Sequence, residues 1–243
     1  MKRNRIMQIL AAVLIMLSLS LFTGCDKNLK ARLNLLSYLE RQKGGSEELS
    51  QEKIDELKKS IQACREELDR TLKLGKDLGN YYRLLALEYM DLEMYGLALD
   101  AFTQAIAIYP ADTGLFYHGG ICAGQMSRRQ TSEAERQKFL LLAEKYYRTA
   151  LNLNPRYWEA DYALAVLYQF EMDRPADAEP LLENLLSIRP DNIDALFLMA
   201  GVQVSLGNRS RAIEYYETIA SLTEDASVKD KALENRNLLM GGY

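Results

Sequence analysis

The side chains that could do chemistry are few and scattered. The chain of 243 residues contains a single histidine, His118, and three cysteines, Cys25, Cys64 and Cys122. General acid–base or metal chemistry needs several such groups converging, and His118 has no neighbour in sequence that completes a triad or a ligand set. A lone histidine inside a helical stretch reads as a structural residue. The carboxylates Glu47, Glu48, Glu52, Asp55 and Glu56 alternate with Lys53, Lys58 and Lys59, the pattern of a solvated helix face. Phosphate-cradling and zinc-binding motifs (G-x-x-x-x-G-K-[ST], G-x-G-x-x-G, H-E-x-x-H) do not occur. Gly119-Gly120 is too bare for a phosphate loop and suits close helix packing. The net charge of −4 argues against nucleic acid, and Arg128-Arg129 is too small a basic cluster to offset it. The expectation is a non-enzymatic protein without metal or cofactor.

The elements that would carry these residues begin with a distinct N-terminal segment. Lys2, Arg3 and Arg5 precede an uncharged stretch from Ile6 to Phe22, and Leu21-Phe22-Thr23-Gly24-Cys25 then gives way to polar sequence. A basic start, an apolar run and small residues describe a secretory signal. The small residues before Cys25 resemble the bacterial lipobox, which implies a diacylated Cys25 as the mature N-terminus. Phe22 departs from that pattern, since leucine is usual there and Leu21 stands one place early. The alternative is an uncleaved signal anchor, because an apolar run of about 17 residues is at the short limit for a bilayer. Both place the rest of the chain outside the cytoplasm, at a bacterial membrane, facing the periplasm or the exterior. Stable anchoring by lipid takes two or more acyl chains. Asp26 resembles an inner-membrane retention signal of enteric bacteria. A Cys64–Cys122 disulfide is conceivable in such a compartment, although both cysteines fall beside apolar helix positions and read as buried packing residues.

The remainder is strongly helical in character: five prolines, abundant Leu, Ala, Glu, Met and Tyr, and little Val or Thr. Leu29 to Gln42 is amphipathic and ends at Gly44-Gly45. Ile54, Leu57, Ile61, Cys64, Leu68 and Leu72 mark a second, long helix by three/four spacing. Then a repeat sets in. Ile106–Pro110, Leu151–Pro155 and Leu186–Pro190 each place an apolar pair before a helix-stopping proline. From Gly79, the residues Tyr82, Leu85, Ala86, Tyr89, Ala98, Phe102, Ala105 and Pro110 resemble the tetratricopeptide pattern W-x2-L-G-x2-Y…A-x3-F-x2-A…P, with Tyr for Trp and Ala for Gly. Later units carry Phe116, Gly120, Cys122, Ala143, Tyr147 and Ala150; then Leu164, Ala165, Tyr168, Ala178 and Leu182; then Leu196, Met199, Ala200, Gly207, Ala212, Tyr216 and Ile219.

Pro110 and Pro155 lie 45 positions apart, which puts surplus residues in Met126 to Lys138 of the second unit. Ser132 and Glu135 have capping-box spacing, so helix B of that unit should begin near Glu133. Pro180 is expected in the first turn of its helix. The resemblance implies an all-α, right-handed superhelical solenoid of antiparallel helix pairs. The organisation it suggests is residues 1–24 as signal, 25–78 as N-terminal helices with a degenerate repeat, 79–225 as about four repeats, and 226–243 as a C-terminal capping helix.

Members of this family bind ligands on a concave surface lined by the A helices. Carried onto this sequence, its contact positions are Arg83, Tyr117, Tyr162 and Phe197 in one row and Leu87, Ile121, Val166 and Gly201 in another. The family's basic clamp for a C-terminal carboxylate is not reproduced, as Arg83 alone fits it. The aromatic and aliphatic row suits an apolar helix, an extended peptide or a hydrophobic small molecule. These positions border the helix-packing ones, so a shift of one residue would make them core, and a terminal helix could fill the groove. The expected function is a membrane-tethered interaction scaffold for an envelope complex. The alternative is a carrier that holds a hydrophobic small molecule for a transporter.

Overall fold

The structure, a computed structural model, describes residues 51–241. The signal segment, Cys25 and the helix expected over Leu29–Gln42 lie outside the described residues. The chain divides into compact units at residues 1–71 and 72–243, and the second contains the repeats. In chain order the helices are α1 (Gln51–Asp91), α2 (Tyr95–Ile108), α3 (Thr113–Arg128), α4 (Glu133–Leu153), α5 (Trp158–Val166), α6 (Pro175–Ile188), α7 (Ile193–Ser205), α8 (Arg209–Leu222) and α9 (Ala226–Gly241). No strand occurs among the described residues. The helix marked by Ile54–Leu72 and helix A of the first repeat are therefore one element, α1.

Each repeat pairs an A helix (the end of α1, α3, α5, α7) with a B helix (α2, α4, α6, α8). The B helices α2, α4 and α6 stop two residues before Pro110, Pro155 and Pro190. The intervening Tyr109, Asn154 and Arg189 leave the helical region, with ψ of 70°, 94° and 74°, because a following proline ring clashes with an α conformation. Three A-to-B turns need a left-handed residue: Glu93 (φ 55°), Asp173 (φ 52°) and Gly207 (φ 79°). Gly207 adopts this at no steric cost, whereas a Cβ makes it strained. Asp112 and Asn192 cap α3 and α7 by accepting from Leu115 N (3.3 Å) and Ala195 N (2.9 Å).

The surplus of the second unit lies in its helices. α3 and α4 are 16 and 21 residues long, against 13 and 14 for α7 and α8. Helix B does start at Glu133, but Ser132 makes no side-chain cap bond, so the capping-box spacing is not used. Pro180 is also placed differently from expectation. α6 begins at Pro175, which occupies the tolerated first position, and Pro180 falls inside the helix. Cys122 is buried as expected, but Cys64 is exposed, and both thiols are free.

Packing is sequential. Leu196 and Ala200 of α7 join Tyr216 and Ile219 of their own B helix, while Ala195, Met199 and Val202 join Leu182 and Leu185 of the preceding B helix. In the same way Leu115 and Cys122 of α3 pack with Phe102 and Ala105 of α2. Gly119 and Gly120 permit close approach, since a Cβ there would lie 2.9 Å from Tyr146 and 2.5 Å from Tyr147. Each A helix thus has one face for its partner, one for the preceding unit and a third left over.

Candidate functional site: the third face of the A helices

The third face carries the two rows. Tyr117, Tyr162 and Phe197 are half-buried, as are Leu87, Ile121 and Val166, while Arg83 is exposed. Tyr117, Ile121, Tyr162 and Val166 all lean on the central hydrophobic cluster, Leu87 on the first and Phe197 on the last. They are neither core nor free surface: their inner edges pack and their outer edges meet solvent. Gly201 and Gly124 add open floor, because a Cβ built at either would meet nothing within 4 Å.

Aromatic groups gather at the middle of the face. Tyr117 stands edge-on to Tyr157 (centroids 5.4 Å apart) and to His118 (5.1 Å). Sequence patterning does not single out Tyr157, because it precedes α5 and belongs to no signature position. His118 stacks on Phe102 at 5.8 Å; its Nδ1 is buried without a hydrogen-bond partner, and burial lowers its pKa. That is the environment of a neutral packing ring. Among the described residues no three His, Cys, Asp or Glu side chains are arranged to hold a metal.

The electrostatics of the face are acidic. Burial raises the Tyr117, Tyr157 and Tyr162 phenols above their usual pKa, and nearby carboxylates raise them further: Glu159 for the first two, Asp194 for the third. Glu159 and Asp194 each occupy the second position of an A helix, α5 and α7. Arg83, the single basic member of the rows, lies 3.8 Å from Asp112 and so is partly neutralised. At the last repeat, Lys231 of α9 places its Nζ 5.6 Å from the Phe197 ring centroid. The C-terminal helix therefore leans over the final aromatic position.

Beyond the rows, α5 ends in a π-helical turn, Leu167–Glu171, in which Met172 N donates to Leu167 O at 3.1 Å. Single π turns of this kind insert one residue into a helix and change what faces out. Phe170 is 66% exposed here, and Gln169 donates to Ser205 Oγ at 2.8 Å while its own Oε1 is buried and unbonded. No periodicity announces such a turn, because it depends on a single extra residue.

Tetratricopeptide-repeat family models match residues 79–112 and 169–231. The TPR repeat-containing protein of Borreliella burgdorferi is 25% identical over 204 residues, spanning 82% of this chain and 86% of that relative. Among solved structures, a thermophilic TPR protein of Thermus thermophilus is similar over 85% of this chain and 97% of its own, with TM-score 0.55 and 17% identity. YrrB, described as a TPR protein with an unusual peptide-binding site, is similar over 73% and 88%, with TM-score 0.54 and 20% identity. These structural likenesses are of fold. The chain therefore carries tetratricopeptide repeats over the residues that these models match. Stacked repeats of this class generally act as protein-interaction scaffolds through their concave surface and are typically non-catalytic.

Proposed function

We propose that this protein is an extracytoplasmic interaction scaffold, tethered to a bacterial membrane by lipid on Cys25, that captures a segment of a partner protein during assembly or regulation of an envelope complex. The segment combines apolar anchors with basic residues. One observation supports the ligand class: Glu159 and Asp194, each at the second position of an A helix, stand beside the half-buried Tyr117, Tyr157 and Tyr162, whose phenols are raised first by burial and further by these carboxylates. An aromatic row edged with carboxylates favours cations laid on ring faces and beside acids, and disfavours a C-terminal carboxylate. The tether is supported by the basic start, the apolar run and the small residues before Cys25.

The test is affinity capture from envelope extracts, with the bound protein read by mass spectrometry. Tyr162→Ala and Asp194→Lys should each reduce the captured partner about tenfold or more, corresponding to roughly 1.4 kcal/mol, with helical content unchanged. Capture that survives both variants removes the concave face from the reading. Cys25→Ser should abolish metabolic labelling with palmitate, and labelling that persists rules out the tether.

A further inference from the structure

The first repeat has a face prepared for a helix that the second compact unit does not contain. Counting each repeat from its first residue (Gly79, Thr113, Trp158, Ile193), the third, seventh and tenth positions lie toward the preceding B helix: Leu115 and Cys122 cluster with Phe102 and Ala105, Leu164 and Leu167 with Leu140 and Tyr147, and Ala195, Met199 and Val202 with Leu182 and Leu185, while Gly119 lies against Tyr146 of its own B helix. In the second to fourth units they are Leu115, Gly119 and Cys122; Ala160, Leu164 and Leu167; and Ala195, Met199 and Val202, all buried. In the first unit the same positions are Tyr81, Leu85 and Glu88. Tyr81 is 67% and Leu85 43% exposed, and Glu88 is exposed as well. Leu74, Leu78 and Leu92 extend this stripe along α1, and all three are exposed. The spacing of 74, 78, 81, 85 and 92 follows the four/three alternation of a helix-packing seam.

Charge distinguishes this face from its three internal counterparts. Its tenth position is Glu88, where they have Cys122, Leu167 and Val202. Asp77 and Asp91 flank the stripe on the Glu88 side, with Lys73 the one opposing charge there on that helical register. An apolar seam interrupted by a carboxylate and edged by two more is complementary to an amphipathic helix with a basic residue opposite Glu88.

We infer that the Leu74–Leu92 stripe of α1 is a second docking surface, which takes a basic amphipathic helix from another protein in the place a preceding B helix would occupy. The B helices α2, α6 and α8 each run 14 residues, which sets the length of helix the face accommodates. This surface is separate from the concave face, so the two assignments stand or fall separately.

A fluorescent peptide serves as probe: the α8 sequence Arg209–Leu222 carrying Glu214→Lys and Glu217→Lys, titrated into the full chain and followed by anisotropy. Saturable binding is expected, weaker by tenfold or more for Tyr81→Asp and for Glu88→Lys, and unchanged for Tyr162→Ala. The peptide with its native glutamates should bind several-fold more weakly. Because Tyr81 and Glu88 are exposed, both variants should keep the parent's circular dichroism. Absence of saturable binding overturns the inference, as does equal binding by Tyr81→Asp or by the two peptides. Self-association of the full chain that Tyr81→Asp abolishes also overturns it, since a second copy would then be the occupant.

Discussion

Asp161 stands at the fourth position of its A helix, where Tyr82, Phe116 and Leu196 fill the other units. It is 2% exposed, and Asn184 Nδ2 donates to its Oδ2 at 2.6 Å. Burial pushes its carboxyl from 3.8 up to about 6, against the opposing pull of that hydrogen bond. A carboxyl with a raised folded pKa binds its proton in the native state at pH values where the unfolded chain has released it. Its contribution therefore falls as pH rises from about 4 to about 6, and the loss levels off at roughly 3 kcal/mol. Asp161→Asn keeps the shape and an acceptor for Asn184 without the ionisation. In urea titrations at pH 4 and pH 7.5 the variant should gain about 2–3 kcal/mol on the parent between the two conditions. A difference that is the same at both pH values would show that Asp161 ionises freely. The register alone points to this burial, because counting back from Leu164, Ala165 and Tyr168 puts Asp161 at the pattern's tryptophan position, yet an acid among Tyr82, Phe116 and Leu196 reads by residue type as surface.

At the scale of elements, the helix stops were legible and the helix interior was not. Pro110, Pro155 and Pro190 act on the residue next to them, so their effect is written locally. The enlarged second unit was locatable by counting, yet its purpose depends on what its longer helices reach. Arg128 ends α3 and Arg136 lies in the first turn of α4, and both meet Glu171 at the end of the π turn. Arg128 Nε donates to Glu171 Oε1 at 2.8 Å and Arg136 Nη2 to Oε2 at 3.1 Å and to the Glu171 carbonyl at 3.2 Å. The long helices thus hold the end of α5 where it departs from α-helical geometry. Farther along, Tyr168 donates to Glu144 Oε1 at 2.7 Å, with Arg148 and Arg174 each donating to the same oxygen at 3.2 Å. Glu171→Gln leaves one arginine without a charged partner and should cost about 1–2 kcal/mol. The loss should shrink in 1 M NaCl, where the parent's ion pairs are already screened. A cost below about 0.3 kcal/mol would mean that the clamp adds nothing to stability.

For the repeat-containing unit as a whole, the pattern that made the repeat recognisable also dictates how it should come apart. Tyr82, Ala86, Ala98 and Phe102 were identifiable because each unit repeats the same local packing rule. The two rows of the third face were less legible, since half-buried residues satisfy core and surface patterns alike. Among the described residues, sequential packing gives three hydrophobic clusters. The central one draws on α3 through α7, whereas the last comprises residues of α7, α8 and α9 around Ile219. Stability in such an array is a sum of unit and neighbour contributions, so opening should be regional. Ile219 is fully buried, and Ile219→Ala should cost about 2–4 kcal/mol. Hydrogen exchange should then quicken across α8, α9 and the half of α7 that faces them, with α2 and α3 keeping the parent's protection. Leu182→Ala, in the central cluster, should instead quicken exchange on both sides, from α4 through α7. Uniform acceleration by Ile219→Ala would mean that the repeats unfold as one cooperative block. The regional outcome would leave the first turns of α7, with Phe197 beneath Lys231, as the part of the third face most easily opened.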